Sequence, residues 1–133
     1  MMEHPMTYYF SKTINVPFAE AVDKTMTALK EHGFGILTRI DVKSTLKEKI
    51  GADFHSYVIL GACNPKMAYR ALQAEDKIGT MLPCNVIVQE VDGRTEIAAV
   101  DPVASMQAIR NDKLAAIASS VRHELEAAIQ SLS

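Results

Sequence analysis

The chain has 133 residues, 48% of them hydrophobic and 23% charged, which is enough to bury an ordinary core as one domain over residues 1–133 without disulfide or metal staples. Fourteen basic against sixteen acidic residues leave a net charge of -2. That balance excludes the broad positive field that attracts phosphate backbones or anionic lipid, so neither nucleic acid nor a membrane surface is an expected partner. No run approaches the ~18 consecutive apolar residues of a membrane span. Two cysteines in a chain opening Met1-Met2-Glu3-His4-Pro5, without a basic segment and an apolar stretch, point to the cytoplasm. Residues 1–6 are expected to be flexible.

Thr7 to Ile14 is rich in aromatic and β-branched residues and reads as a strand. Pro17 then opens a helix in which Phe18, Ala21, Val22, Thr25, Met26 and Leu29 recur at helical spacing, and His32-Gly33 stops it. Gly33 to Val42 reads as a second strand. Ser44 to Ile50 reads as two helical turns capped by Ser44 and ended by Gly51. Phe54 to Ala62 contains the apolar run Tyr57-Val58-Ile59-Leu60 of a central strand. Asn64-Pro65 pairs a capping side chain with an N1 proline, and Met67, Ala68, Ala71 and Leu72 form the inner stripe of the helix it begins.

Asn85 to Val91 and Arg94 to Val100 flank Asp92-Gly93, a dipeptide whose two residues both tolerate positive φ, which predicts a two-residue hairpin. Leu114, Ile117, Ala118, Val121, Leu125, Ala128, Ile129 and Leu132 keep helical spacing through a final long helix. The order strand, helix, strand, short helix, strand, helix, hairpin, helix predicts an α+β domain.

The chemistry-bearing residues gather at the ends of these elements. Cys63-Asn64-Pro65 closes one strand and Pro83-Cys84-Asn85 opens another, so antiparallel placement would bring both thiols to one pocket, whereas parallel neighbours would hold them a strand length apart. The alternative for Cys63 and Cys84 is that of small buried hydrophobes. A closed zinc site needs about four ligands, and His4, His32, His55 and His123 show no metal-binding spacing, so no metal site is assigned. Asn64 suits a helix cap, and Asn85 suits a strand entrance that satisfies backbone groups. Asp41 and Asp101 each end a strand, as an acid or base in a cleft or as a cap for the next helix or turn. Ser44-Thr45-Leu46-Lys47 repeats an acyl-enzyme pattern by chance, lacking its companion elements. Gly33-Phe34-Gly35 lies between helix and strand, the reverse of a phosphate loop.

With Gly33-Phe34-Gly35-Ile36-Leu37, Ile40-Asp41-Val42-Lys43, Leu60-Gly61-Ala62-Cys63-Asn64-Pro65, Leu82-Pro83-Cys84-Asn85-Val86 and Asp101-Pro102 in this order, the chain resembles the domain of unknown function 302 family over almost its whole length. The resemblance implies a compact α+β domain with a curved, mainly antiparallel sheet of about five strands backed by helices, similar in shape to one repeat of the TATA-binding-protein fold. It also implies a homodimer. It directs attention to Asp41, Cys63, Asn64, Pro65, Pro83, Cys84, Asn85 and Asp101 and implies no activity or cofactor. No segment combines nucleophile, base and orienting group, so a non-enzymatic role is favoured. Three function classes stay open. They are a small-molecule or metal-ion binding module using a pocket of Asp41, Cys63, Asn64, Cys84, Asn85 and Asp101, a thiol enzyme or redox sensor using Cys63 or Cys84, and a homodimeric interaction domain.

Overall fold

Five strands pair in the order β1-β5-β4-β3-β2, and each runs antiparallel to its neighbour. The computed structural model describes residues 7–133, so the expected flexibility of residues 1–6 lies outside the described residues. The strands are β1 (Tyr9–Ile14), β2 (Gly35–Asp41), β3 (Tyr57–Cys63), β4 (Cys84–Val91) and β5 (Arg94–Val100). The helices are α1 (Phe18–Glu31), α2 (Val42–Ile50), α3 (Pro65–Ala74), α4 (Pro102–Ser105) and α5 (Asp112–Gln130), with a 3-10 segment over Asp76–Met81. The α+β class and the helix-backed antiparallel sheet are therefore as expected. No helix of the described residues is long and apolar enough to cross a membrane.

Strand alternation builds the core. Val58, Leu60 and Ala62 of β3, Cys84, Val86 and Val88 of β4, and Ile97 and Ala99 of β5 are buried and pack against one side of the helical layer. That layer supplies Ala21, Val22 and Leu29 from α1 and Leu125, Ala128 and Ile129 from α5. The Asp92-Gly93 turn takes φ of 52° and 78° at its two positions, which matches the twist of β4 and β5. A second, smaller cluster of Ala71, Ile78, Met106, Leu114 and Ala118 ties α3, the 3-10 segment and the first half of α5 together.

Three local expectations change. Asp41, not Ser44, caps α2, because its Oδ1 accepts from Ser44 N at 3.0 Å and the helix starts at Val42. β3 starts at Tyr57 rather than Phe54; Phe54 instead stacks on His55 at 4.2 Å and lies 6.0 Å from Tyr57, a local aromatic cluster that needs no strand pairing. Leu72 is 43% exposed, since α3 packs on α5 and the 3-10 segment and buries only a narrow stripe around Ala71.

One close approach pins the sheet near the end that carries the cysteines. A Cβ on Gly61 would lie 2.8 Å from Pro83 Cγ and would collide with Thr38 Oγ1. Glycine is therefore required where the Pro83 ring and the β2 side chain cross the β3 backbone. Gly61→Ala should destabilise the fold by about 1–3 kcal/mol through overpacking. Gly35→Ala, whose new Cβ would stand 3.9 Å from Cys63 O, should cost under about 1 kcal/mol. Urea denaturation of the two variants checks the difference, and equal midpoints would show that Thr38 and Pro83 relax out of the way.

Candidate functional site

The β3–β4 register decides what the strand ends can do. Ala62 pairs with Cys84 and Gly61 with Asn85, so the last residue of β3 and the first of β4 share one end of the sheet. From Cys63 the chain turns directly into α3. Asn64 Oδ1 accepts from Met67 N at 3.2 Å, and Pro65 fills the first helical position, where a missing N–H costs nothing. On the other strand Leu82-Pro83, joined by a cis peptide, leads into Cys84. α4 follows β5 at the same end, capped by Asp101, whose Oδ1 accepts from Val103 N at 2.9 Å and Ala104 N at 3.3 Å.

These pieces enclose a cavity of about 30 Å³ at the seam between the two core clusters. Cys63, Asn64, Met67, Pro83, Cys84 and Met106 line it, completed by apolar side chains of α5 that include Val121. It has room for a water-sized guest and is an order of magnitude smaller than the ~300–1,000 Å³ of a drug-sized ligand site. Four of its lining residues carry sulfur. Met67 enters the sequence only as part of a helix stripe, and Met106 sits in the α4–α5 connection, where no periodicity marks it.

The six candidate residues divide. Cys63, Asn64 and Cys84 line this cavity. Asp101 abuts it through Pro102, but its carboxylate is engaged by the α4 cap and by Arg122 Nε, which donates to Oδ2 at 3.0 Å. Asn85 is exposed; strand alternation from buried Cys84 turns it to the uncovered sheet face, where it lines a second hollow, and at the sheet end it also borders a groove with Pro83, Cys84 and Met106. Asp41 caps α2 and pairs with Val58, whereas Cys63 pairs with Gly35, which places Asp41 roughly 20 Å along the strand. One cleft containing both asparagines and an aspartate with the thiols is thus corrected to a smaller thiol and thioether cavity.

No Lys, Arg or His lines the cavity. Burial pushes the Cys63 thiol above its ordinary value. Burial, with a smaller contribution from the neighbouring Cys63 charge, pushes Cys84 up to about 11. Reactive cysteines are lowered by nearby cations or helix N-termini, so both shifts run opposite to those of a nucleophile or sensor. Among the described residues no three His, Cys, Asp or Glu side chains gather as they would around a metal ion.

The raised Cys84 value fixes a pH dependence. The unfolded thiol ionises near 9 and the folded one near 11, so above pH 9 the native state holds more protons than the unfolded state. The stability this group contributes is complete below pH 9 and is lost as pH rises through 11, by roughly 2–3 kcal/mol. Urea unfolding of the native chain minus that of Cys84→Ala from pH 8 to about pH 11 isolates the effect from lysine and tyrosine titration. A flat difference would show that Cys84 ionises as freely folded as unfolded.

The domain-of-unknown-function family DUF302 matches residues 10–132. No curated protein matches the chain. The crystal structure of an uncharacterised conserved DUF302 protein from Bacillus stearothermophilus superposes with a TM-score of 0.89 at 29% identity, covering 95% of this chain and 98% of that one. With the strand-end motifs, the fold and nearly the whole length in agreement, the chain belongs to the DUF302 family.

Proposed function

We propose that the protein is a binding module that holds one soft monovalent metal ion, of the Cu(I) class, in the strand-end cavity. The observation that carries this reading is that Cys63, Met67, Cys84 and Met106 together line one apolar, water-sized space. Size favours an ion over an organic molecule there. Thiolate and thioether sulfurs are the donors that select Cu(I), while harder ions prefer oxygen and imidazole. One thiolate cancels the charge of a monovalent ion and methionine adds donors without charge, so the filled site stays neutral in a wall that offers almost no polar groups. The proton displaced on binding comes from a thiol that burial has made a weak acid, so apparent affinity rises with pH.

Silver(I), a redox-inert soft probe, is expected to bind the reduced protein with one-to-one stoichiometry. Cys63→Ser and Cys84→Ser should each abolish that stoichiometric site, and Met67→Leu and Met106→Leu should each weaken it by about tenfold or more. Calorimetric titration with chelator competition reads both effects. Silver binding that needs the cysteines but ignores both methionine substitutions would reduce the site to adventitious thiol chemistry and overturn the reading.

Self-association is the second reading, supported by a patch on β2 and α2. α2 buries none of its side chains, and Leu37 at 63%, Ile40 at 45% and Ile50 at 72% stand exposed beside the open edge of β2. Edge strands with bare apolar neighbours invite pairing with another chain. A homodimer joined through this edge would cover them. Light scattering at ~50 µM, above the dissociation constant of many stable homodimers, should give twice the 14.6 kDa chain mass, and Ile40→Lys should return it to one. A native chain that scatters as a 14.6 kDa particle would exclude the dimer.

A further inference from the structure

The uncovered face of the sheet carries a second site with different chemistry from the sulfur cavity. In register across three strands, Tyr57 of β3 stands opposite Gln89 of β4, and Gln89 opposite Glu96 of β5. All three alternate away from the buried positions Val58, Val88 and Ile97. At the other end of the same face, Tyr8 and Tyr9 form an edge-to-face pair with ring centroids 5.1 Å apart. Together with Asn85 these residues line a hollow of about 430 Å³, within the ~300–1,000 Å³ range of small-ligand sites.

The hollow has one charge and it is negative. Gln89 Nε2 donates to Glu96 Oε1 at 2.8 Å, and His55 Nε2 donates to Gln89 Oε1 at 2.8 Å, so the glutamine amide is held from both ends and fixes the carboxylate. No Lys, Arg or His lines the hollow, and among the described residues none makes an ion pair with Glu96. Burial raises the Tyr57 hydroxyl above the ordinary tyrosine value, and Glu96 and Tyr8 add to the rise. The Glu96 charge and the Tyr8 and Tyr57 side chains therefore act on one another across the hollow. Aromatic faces carry negative potential and attract cations, most of all weakly hydrated ones that fill an aromatic enclosure. A carboxylate fixed among tyrosines adds direct attraction for a cation and repels an anion.

We propose that this hollow binds a small organic cation of the quaternary ammonium type, packed against Tyr8, Tyr9 and Tyr57 and neutralised by Glu96. The site shares no lining residue with the sulfur cavity, so it stands or falls separately from the soft-ion reading.

Choline is the probe, read by two-dimensional NMR of the native chain. Saturable shifts are expected at Tyr8, Tyr57 and Gln89 with a dissociation constant in the millimolar range, the strength of a few such contacts at an open site. The neutral isostere of choline, with a tert-butyl group in place of the trimethylammonium, should bind about tenfold more weakly. Glu96→Gln, which keeps the size of the side chain and an acceptor for Gln89, should weaken choline about tenfold. Tyr57→Leu should do the same, and Cys63→Ser should leave choline binding unchanged. Each variant's spectrum reports whether it is folded. Equal binding of choline and its neutral isostere, an unaltered Glu96→Gln affinity, or no saturable shift up to ~100 mM would each overturn the assignment.

Discussion

The pairing of Ala62 with Cys84 is the constraint on which the rest of the molecule depends. It sets the β3–β4 register, and register in a sheet with one buried face is an all-or-none matter, because a slip of one residue would turn every core side chain toward water. With Ala62 opposite Cys84, Leu60 meets Val86 and Val58 meets Val88 in the core. Gly61 and Asn85 are left on the outside, where the absent Gly61 side chain makes room for Pro83 and Thr38. The strand ends, the start of α3 and the entrance of β4 are thereby locked into one corner.

That corner is also where the helical layer changes hands. α1 and the second half of α5 cover the sheet centre, whereas α3, the 3-10 segment and the first half of α5 pack around a smaller cluster of their own. Two clusters built on different elements rarely meet without a gap, and here the gap is the sulfur-lined cavity. Apolar walls raise both thiol pKa values and so hold the cysteines in their neutral form. The same walls favour a guest that brings its own compensating charge to a sulfur ligand.

Much of the architecture was legible in the residues because its signals are local. Asp92-Gly93 demands positive φ twice, Asn64-Pro65 combines a side-chain cap with a residue lacking an N–H, and the α5 stripe from Leu114 to Leu132 repeats for five turns. α4 and the 3-10 segment were not legible, being too short to show a period. The candidate site was half legible. Cys63, Asn64 and Cys84 converge because each stands at a strand end. Asp41 ends the correct strand at its far end, and Asn85, one residue past Cys84, turns to the other face of the pleat and meets the cysteine corner only along the groove at the sheet end. The Tyr8, Tyr57 and Glu96 set carries no local mark, since only the register of four strands assembles it, and Met106 carries none because it lies in a helix connection without a period.

The alternation that turns Asn85 to the uncovered face also explains how so small a chain can present two unlike environments. Along β4, Cys84, Val86 and Val88 face the helices while Asn85, Ile87 and Gln89 face outward. Soft sulfur chemistry and a fixed carboxylate would interfere if they shared a wall, because a carboxylate beside the thiols would raise their pKa values further and compete for any cation. Placed on opposite faces of one strand, each keeps its own dielectric. The inner face is apolar and disfavours an uncompensated charge, and the outer face leaves the Glu96 carboxylate part-exposed and accepting from Gln89. Helices on one side only are what make this possible: a layer on the second side would have buried Glu96 and required a partner for its charge.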